Sequence, residues 1–307
     1  MKIVFMGTPE FAVPSLNILL ENGYEIPAVV TVPDRKKGRG LVESYSDVKK
    51  YALEKGIKVL QPEKLKDENF ISELRALEPD LIVVVAFRIL PREVYTIPKL
   101  GSFNLHASLL PKYRGAAPIN WAIINGEKET GVTTFFLQDK VDTGNIIIQR
   151  KVRIDEDETA GTLHDKLSYI GKEVVLDTVR RIEADDIGVF PQDDALASPA
   201  PKIFKEDCKI NWDAPVEKVY NFIRGLSPYP TAWTTLDGKN VKIYLAGEIE
   251  MKAGSSPGTI HIDGKKIFVD TADEKLEITE LQLEGKKRVF ASDFVNGLQE
   301  TEGLKFS

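Results

Sequence analysis

The chain has 307 residues, of which 42% are hydrophobic and 29% are charged. This length suits two domains of about 100–200 residues each, and the composition is that of a globular chain rather than a disordered one. With 41 Lys and Arg against 47 Asp and Glu, the formal charge is −6, so any contact with nucleic acid must come from a local basic patch.

Cysteine content and apolar runs bear on the compartment. The single cysteine, Cys208, excludes an internal disulfide framework and a cysteine-rich zinc site, and it is typical of a reducing cytosol. The first apolar run ends at Gly7-Thr8-Pro9, too early for a signal peptide. The run over 81–87 is much shorter than the roughly 20 residues that span a bilayer. We therefore expect a cytoplasmic protein without membrane contact.

Strand and helix signals alternate over the first two-thirds of the chain. Uninterrupted apolar runs are typical of strands covered on both faces, as in a parallel sheet between helices. Apolar residues at near-helical spacing predict helices, two of which are followed by a glycine, Gly23 or Gly56. In chain order, these signals lie at 2–6, 11–20, 28–32, 48–52, 59–60, 70–77, 81–86, 102–105, 132–137, 146–154 and 163–174. We predict a doubly wound, mostly parallel, Rossmann-like α/β domain over residues 1–183.

The last third of the chain has a different texture. Acidic pairs and prolines without a period predict a linker over 184–206. A helical pattern over 216–223 is followed by short alternating runs, with Asp237-Gly238 and Asp263-Gly264 between them. Asp-Gly between alternating runs predicts a hairpin. We therefore predict a small C-terminal β-barrel, of the oligonucleotide-binding type, over residues 207–307.

Asn104 and His106 form the first candidate site. The other histidines, His164 in a helical pattern and His261 in a β-run, are interpreted as structural or surface residues. Asn104 and His106 follow a predicted strand and lie two residues apart, so both side chains project to one side. Ligands of open α/β sheets bind outside the carboxyl ends of the strands, and an amide beside an imidazole suits acyl transfer. A capped strand end, with His106 bonded to a carbonyl, remains the alternative.

Asp142-Thr143-Gly144 is the second candidate. The triplet is similar to that of aspartic proteases, but the sequence shows no second copy to supply the required pair of carboxylates. Asp142 is therefore either a turn residue or a carboxylate that supports a protonated histidine or accepts a proton through water.

A basic loop follows the second predicted strand. It contains Arg35, Lys36, Lys37 and Arg39, four cations within five residues of an acidic chain. Such a cluster indicates either a local anchor for phosphate or a solvated loop.

Several common catalytic motifs are missing from the sequence. Neither a His-Glu-x-x-His pair nor a Gly-x-Ser-x-Gly turn is present, which disfavours a zinc hydrolase and a serine nucleophile. No Walker phosphate loop occurs, and Gly7-Thr8-Pro9 lacks the second and third glycines of a dinucleotide fingerprint. An NAD-dependent dehydrogenase is therefore disfavoured.

Longer motifs give a more specific indication. They are Phe5-Met6-Gly7-Thr8-Pro9-Glu10-Phe11-Ala12, Gly38-Arg39-Gly40, Asn104-x-His106-x-Ser108-Leu109-Leu110-Pro111-x-Tyr113-Arg114-Gly115-Ala116-Ala117-Pro118, Asp142-Thr143-Gly144, and Ile210-Asn211-Trp212 in the last third. Together they resemble the methionyl-tRNA formyltransferase family over nearly the whole chain. The Asn-x-His pair with a distant Asp is shared by all folate-dependent formyltransferases, whereas the other motifs narrow the resemblance to this family.

The resemblance implies transfer of a formyl group from 10-formyltetrahydrofolate to the methionine amino group of initiator methionyl-tRNA, for translation initiation. It implies no metal, no redox cofactor and no DNA partner. The residues implied are Asn104, His106 and Asp142 for catalysis, Ser108, Leu109, Leu110 and Pro111 for folate, and Arg39 with Arg35, Lys36 and Lys37 for tRNA. The family pattern is not followed after Gly40, where residues 41–47 are not basic, or at 86–91, which is shorter by one residue.

Three other functions remain open at this point. One is formyl transfer to a small amine, such as a purine precursor or an amino sugar, which the second domain disfavours. Another is a hydrolase that releases formate, disfavoured because no additional domain precedes Met1. The last is a non-catalytic tRNA-binding protein, disfavoured because Asn104, His106 and Asp142 are all present.

Overall fold

A computed structural model of the protein describes residues 1–37, 42–298 and 302–307. The chain forms two compact units that interleave along the sequence. The first comprises Met1–Gly115, Thr130–Val152 and His164–Pro199, and the second comprises Ala116–Glu129, Arg153–Leu163 and Ala200–Ser307. The bounds 1–183, 184–206 and 207–307 stay predictions. The units differ from such a simple succession because residues 116–129 and 153–163 pack with the C-terminal residues.

Helices and strands alternate in the first unit as the apolar pattern predicts. The helices are α1 (Val13–Glu21), α2 (Asp47–Glu54), α3 (Glu68–Ala76), α4 (Arg92–Tyr95), α5 (Pro118–Ile124), α6 (Ala160–Glu183), α7 (Val216–Leu226) and α8 (Ala291–Asn296). The strands are β1 (Ile3–Gly7), β2 (Ala28–Val30), β3 (Arg35–Lys37), β4 (Val42–Ser44), β5 (Lys58–Leu60), β6 (Leu81–Val85), β7 (Ser102–His106), β8 (Arg114–Gly115), β9 (Glu129–Phe136), β10 (Ile146–Arg153), β11 (Pro199–Ala200), β12 (Ala232–Leu236), β13 (Lys239–Lys252), β14 (Ile260–Asp263), β15 (Lys266–Asp270), β16 (Glu274–Leu283) and β17 (Val289–Phe290).

The main sheet of the first unit has the strand order β10-β9-β7-β6-β1-β2-β5. Strands β7, β6, β1, β2 and β5 are parallel to their neighbours, whereas β9 is antiparallel to β7. All residues of β1, β2 and β6 are buried, which is why these strands lack polar alternation. The predicted mostly parallel Rossmann-like sheet is confirmed, and its parallel strands end at one edge.

Side-chain caps begin two helices of this unit. The Ser46 hydroxyl accepts a hydrogen bond from the Lys49 backbone N–H at 3.1 Å and starts α2, and Asp67 caps α3 in the same way. Among the residues that the structure describes, no helix is long and apolar enough to cross a membrane.

The second unit contains an antiparallel sheet with the order β12-β13-β16-β15-β14, and β17 pairs with β16. Asp237 and Gly238 connect β12 to β13 with φ values of +49° and +75°. Positive φ at both positions is the conformation of the tight hairpin turn that Asp-Gly favours. The predicted hairpin is therefore present, and so is the one between β14 and β15.

The last residues of the chain connect the two edges of this sheet. On the β12 edge, Thr235 and Ser307 exchange backbone N–H···O bonds of 3.0 Å each. On the β14 edge, the Phe306 N–H donates to the Gly258 carbonyl at 2.8 Å. Closure satisfies the backbone groups that an open edge exposes, so these residues complete the predicted C-terminal barrel.

Phe306 provides a test of this closure. Its side chain is 1% exposed and stacks on Trp212 with 5.6 Å between the ring centroids. We expect Phe306→Ala to lower the free energy of unfolding by about 3–5 kcal/mol, because it removes a buried aromatic ring and leaves a cavity. All three tryptophans of the chain, at 121, 212 and 233, lie in the second unit, so tryptophan fluorescence during urea unfolding reports on that unit.

Phe290→Ala is the matched control, because Phe290 is 63% exposed. We expect it to change the stability by less than about 0.5 kcal/mol. Equal effects of the two substitutions would contradict a structural role for the terminal segment.

Candidate active site

The candidate site lies at the carboxyl edge of the parallel sheet, where ligands bind in open α/β folds. Asn104 and His106 both belong to β7, and their alternate positions on the strand place them on one face. His106 is 6% exposed, and Asn104 is partly exposed. Thr8 follows β1 at the same edge.

The imidazole of His106 is oriented by a backbone carbonyl. Its Nε2 atom lies 2.8 Å from the Tyr113 oxygen. A carbonyl can only accept, so Nε2 carries the hydrogen of this bond. Nδ1 then faces the Asp142 carboxylate, whose Oδ2 atom is 3.9 Å away. His106 is thus bonded to a carbonyl, as the alternative interpretation expected, yet its second nitrogen is directed at Asp142.

Asp142 lies on a tightly constrained turn. Its side chain is 12% exposed, its φ is +54°, and its Oδ2 atom accepts the Gly115 backbone N–H at 3.0 Å. A Cβ atom on Gly144 would lie 1.6 Å from the Phe136 carbonyl oxygen, so only glycine fits there. Asp142 therefore both shapes the turn and presents a carboxylate to the imidazole, and the two sequence interpretations are compatible.

Polar groups without partners occur at this edge. The side-chain amide of Asn104 has no hydrogen-bond partner among the described residues, so both of its N–H groups are available to a ligand. The Thr8 hydroxyl oxygen is buried and also lacks a partner within the described part of the chain. Because buried polar groups are normally paired, these groups indicate a site that is completed by a bound molecule.

The segment predicted to bind folate follows His106 directly. The Ser108 side chain is fully buried, and its hydroxyl donates to the Lys112 carbonyl at 2.6 Å. Leu110 is also buried, whereas Leu109 and Pro111 are partly exposed. Within this segment, only the latter two side chains therefore offer a surface to a ligand.

The basic loop is a β-hairpin in the described structure. Strand β3 carries Arg35, Lys36 and Lys37 and pairs antiparallel with β4. The hairpin follows β2, whose carboxyl end lies at the same edge of the sheet as that of β7. Arg39, the fourth predicted cation, lies outside the described residues.

An ion pair holds the base of this hairpin. The Asp34 carboxylate accepts a hydrogen bond from the Lys49 ammonium, and this bond is the main reason that the pKa of Asp34 is below its usual value. The Gln61 amide donates to the other Asp34 oxygen at 2.9 Å and accepts from Lys49 at 2.9 Å. The residue that precedes the basic strand is thus fixed to α2 and to the segment after β5.

Gln192 is a site residue that the sequence analysis missed. Its Nε2 atom donates to the backbone carbonyls of Asp142 at 2.9 Å and of Gly144 at 2.8 Å. Its Oε1 atom accepts from the Arg114 guanidinium. Gln192 lies in the segment whose acidic and proline-rich composition predicts a linker, and no local signal in the sequence indicates these contacts.

Ser198, from the same segment, holds the loop that accepts the His106 bond. Tyr113 has φ of +61°, and its backbone N–H donates to the Ser198 hydroxyl at 2.9 Å. The next N–H, of Arg114, donates to the Ser198 carbonyl at 2.9 Å. A left-handed φ is unfavourable for a non-glycine residue, so these bonds help to keep the Tyr113 carbonyl in place.

No metal site is visible among the described side chains. Within residues 1–37, 42–298 and 302–307, no group of three or more His, Cys, Asp or Glu side chains is arranged to hold a metal ion. The chemistry that the site offers is therefore that of its amide, its imidazole and its carboxylate.

Comparison with known proteins gives matches over both parts of the chain. Residues 1–179 match the model of the formyl transferase family, and residues 202–299 match that of the formyl transferase C-terminal domain. A methionyl-tRNA formyltransferase of Bacteroides thetaiotaomicron is 50% identical over 100% of this chain and 98% of its own length. One from Parabacteroides distasonis is 51% identical over 98% of this chain and 96% of its own length.

Solved structures show the same fold. The structure of WlaRD, a sugar 3N-formyl transferase crystallised with dTDP and 5-N-formyl-THF, superposes with a TM-score of 0.68. The sequences are 23% identical, and the match covers 94% of this chain and 99% of that chain. At this level of identity the likeness is one of fold.

Proposed function

This chain belongs to the formyl transferase family, and from that premise we propose that it transfers a formyl group from 10-formyltetrahydrofolate to the methionine amino group of initiator methionyl-tRNA. Relatives about half identical over their full length are methionyl-tRNA formyltransferases. The observation that carries the chemistry is the 3.9 Å approach of the Asp142 carboxylate to Nδ1 of His106, on the strand that also bears Asn104.

The reaction forms one C–N bond and breaks another. The neutral amine of methionine attacks the formyl carbon, and the carbonyl oxygen gains negative charge in the tetrahedral intermediate. That intermediate expels the folate nitrogen, which takes up a proton, while the attacking amine loses one. The Asn104 amide, which has no partner among the described residues, supplies N–H donors to the oxyanion.

His106 and Asp142 serve the proton transfers. Because Nε2 of His106 is held by the Tyr113 carbonyl at 2.8 Å, Nδ1 is the atom that exchanges a proton at the reacting centre. In the imidazolium form, Nδ1–H steadies the oxyanion, and the Asp142 carboxylate favours the positive charge. The separation of 3.9 Å exceeds a direct hydrogen bond, so Asp142 accepts the amine proton through a water molecule.

The folate donor binds against the segment after β7. In this proposal, Leu109 and Pro111 contact the donor, and Ser108 and Leu110 support the segment from within the core. The partly exposed side chains of the first pair and the burial of the second support this division. The transfer requires no metal or redox cofactor, since the leaving and attacking groups are both nitrogen atoms.

The tRNA contact is assigned to the basic hairpin, Arg35, Lys36, Lys37 and Arg39. Residues 207–307 have 13 Lys and Arg against 16 Asp and Glu, a formal charge of −3. Two cations of the barrel are also neutralised locally, since Lys266 lies 3.3 Å from Glu277 and Arg288 bonds to Glu280. Phosphate binding needs uncompensated positive charge, which favours the hairpin as the main electrostatic contact.

The compartment is part of the proposal. Aminoacylated initiator tRNA is consumed where translation begins, so we propose that the protein acts in the cytoplasm.

The first experiment supplies the purified protein with 10-formyltetrahydrofolate and compares charged initiator tRNA, charged elongator tRNA and free small amines. We expect formylation of the initiator alone. Transfer only to a small amine would overturn the proposed acceptor but not the chemistry. Binding of tRNA without any transfer would overturn the enzymatic function.

The proposed roles predict specific losses of turnover. Asn104→Ala should lower kcat by about 10²–10³, because it removes an oxyanion donor. His106→Gln and Asp142→Asn should lower kcat by about 10²–10⁴, because each interrupts proton transfer. Single-turnover assays with initiator methionyl-tRNA measure all three effects.

His164 and Asp165 supply matched controls in the same unit, since they form a second His–Asp pair, at 2.9 Å. We expect His164→Gln and Asp165→Asn to retain wild-type turnover. If Asp142→Asn also retained it, the role assigned to Asp142 would be wrong.

The basic hairpin predicts a salt-dependent effect on tRNA binding. Removing Lys36 and Lys37 together should raise the KM for tRNA and flatten its dependence on salt by about one unit of log–log slope for each lysine, because each neutralises a phosphate. The KM for the folate donor should stay unchanged. Lys50→Ala is the control, because this exposed lysine lies on the nearby α2 and pairs with Asp47 at 2.9 Å. An equal effect of the control would contradict a specific hairpin contact.

A further inference from the structure

We propose that Gln192 is a positioning residue for Asp142, and that it links the two backbone segments facing His106. The inference rests on the proposed function, because it assigns Gln192 a part in the same transfer. Gln192 belongs to the segment predicted as a linker, yet it contacts the backbone of the Asp142 turn.

The amide of Gln192 is fully used by these contacts. One nitrogen donates to two carbonyls of the turn, those of Asp142 at 2.9 Å and Gly144 at 2.8 Å. The oxygen accepts from Arg114 Nε at 3.1 Å and from its terminal nitrogen at 2.7 Å. Two donors and one acceptor on a single group are what a primary amide provides, and the isosteric carboxylate lacks the donors.

Arg114 carries the connection to the other side of the imidazole. It follows Tyr113, whose carbonyl accepts from His106 at 2.8 Å, and it precedes Gly115, whose N–H donates to Asp142 at 3.0 Å. Its guanidinium also pairs with Asp194 at 2.7 Å. Gln192 therefore connects the residue that orients the histidine ring to the turn that presents the carboxylate.

Asp142 needs such support because its backbone is left-handed, with φ of +54°. A non-glycine residue in this region costs about 1–3 kcal/mol and persists only where its surroundings hold it. Without the two bonds from Gln192, the turn can relax and the carboxylate can move relative to Nδ1 of His106. A displacement of about 1 Å at a reacting centre can cost roughly 10²-fold in rate.

The test compares Gln192→Met and Gln192→Glu with wild type in the initiator-tRNA assay. Met removes all of the polar contacts, and Glu keeps the contact with Arg114 but sets oxygen against the two carbonyls. We expect both variants to lower kcat by about 10–100-fold, with both KM values within about threefold of wild type, because the chemistry is displaced and the binding surfaces are kept.

Asn22→Leu is the matched control. The Asn22 amide likewise donates to a carbonyl, that of Ile18 at 2.8 Å, and accepts from an arginine, Arg180, at 2.8 Å. It lies at the end of α1, toward the opposite edge of the sheet. This variant should keep wild-type kcat, and a comparable loss would reduce the Gln192 effect to general destabilisation.

A double-mutant cycle separates positioning from a merely structural role. If Gln192 acts through Asp142, Gln192→Met should cost less than about threefold once Asp142→Asn is present, because coupled residues are non-additive. Additive losses would overturn the inference, and unchanged turnover in Gln192→Met would do so as well. In either case, transfer by the wild type would still support the proposed function.

Hydrogen exchange provides a measurement that does not depend on turnover. The Gly115 amide donates to Asp142, so its exchange reports whether the carboxylate is held. We expect Gln192→Met to speed exchange at Gly115 by about tenfold or more, as the local opening becomes easier. Unchanged exchange would overturn the inference even if the wild type had no activity on any acceptor.

Discussion

The hydrogen bond from Nε2 of His106 to the Tyr113 carbonyl is the interaction on which the rest of the site depends. At 2.8 Å it fixes the plane of the ring and decides which nitrogen carries the structural hydrogen. Only then does Nδ1 face the Asp142 carboxylate. The contacts of Ser198, Gly115 and Gln192 all hold one or other of these two partners of the imidazole.

The sequence predicts the framework of this site because the framework depends on local pattern. Apolar runs predict β1, β6 and β7, and their uniform burial follows from the position of these strands inside the sheet. The common edge of parallel strands then predicts where Asn104 and His106 lie. Ser46 as a helix cap and Asp237-Gly238 as a turn are predictable for the same reason, since each acts on backbone groups within a few residues.

The rest of the site could not be predicted, because it depends on contacts distant in sequence. Gln192 reaches the carbonyl of Asp142, 50 residues earlier, and Ser198 accepts from Tyr113, 85 residues earlier. Composition reports only that this segment is polar and interrupted by proline. The barrel closure by Phe306 escapes notice similarly, because a few terminal residues are too short to show a strand period.

The separation of 3.9 Å between Nδ1 of His106 and Asp142 is maintained rather than incidental. Opposite charges attract strongly in a partly buried site, so a free turn would let the carboxylate close on the imidazolium. Two left-handed residues, Tyr113 and Asp142, set the backbones that face the ring, and the bonds from Gln192 and Ser198 stabilise them. Each such bond contributes about 1 kcal/mol, comparable to the cost of a left-handed residue. The chain thus keeps open a gap wide enough for a bridging water, and a proton relay between amine, imidazole and carboxylate needs that gap.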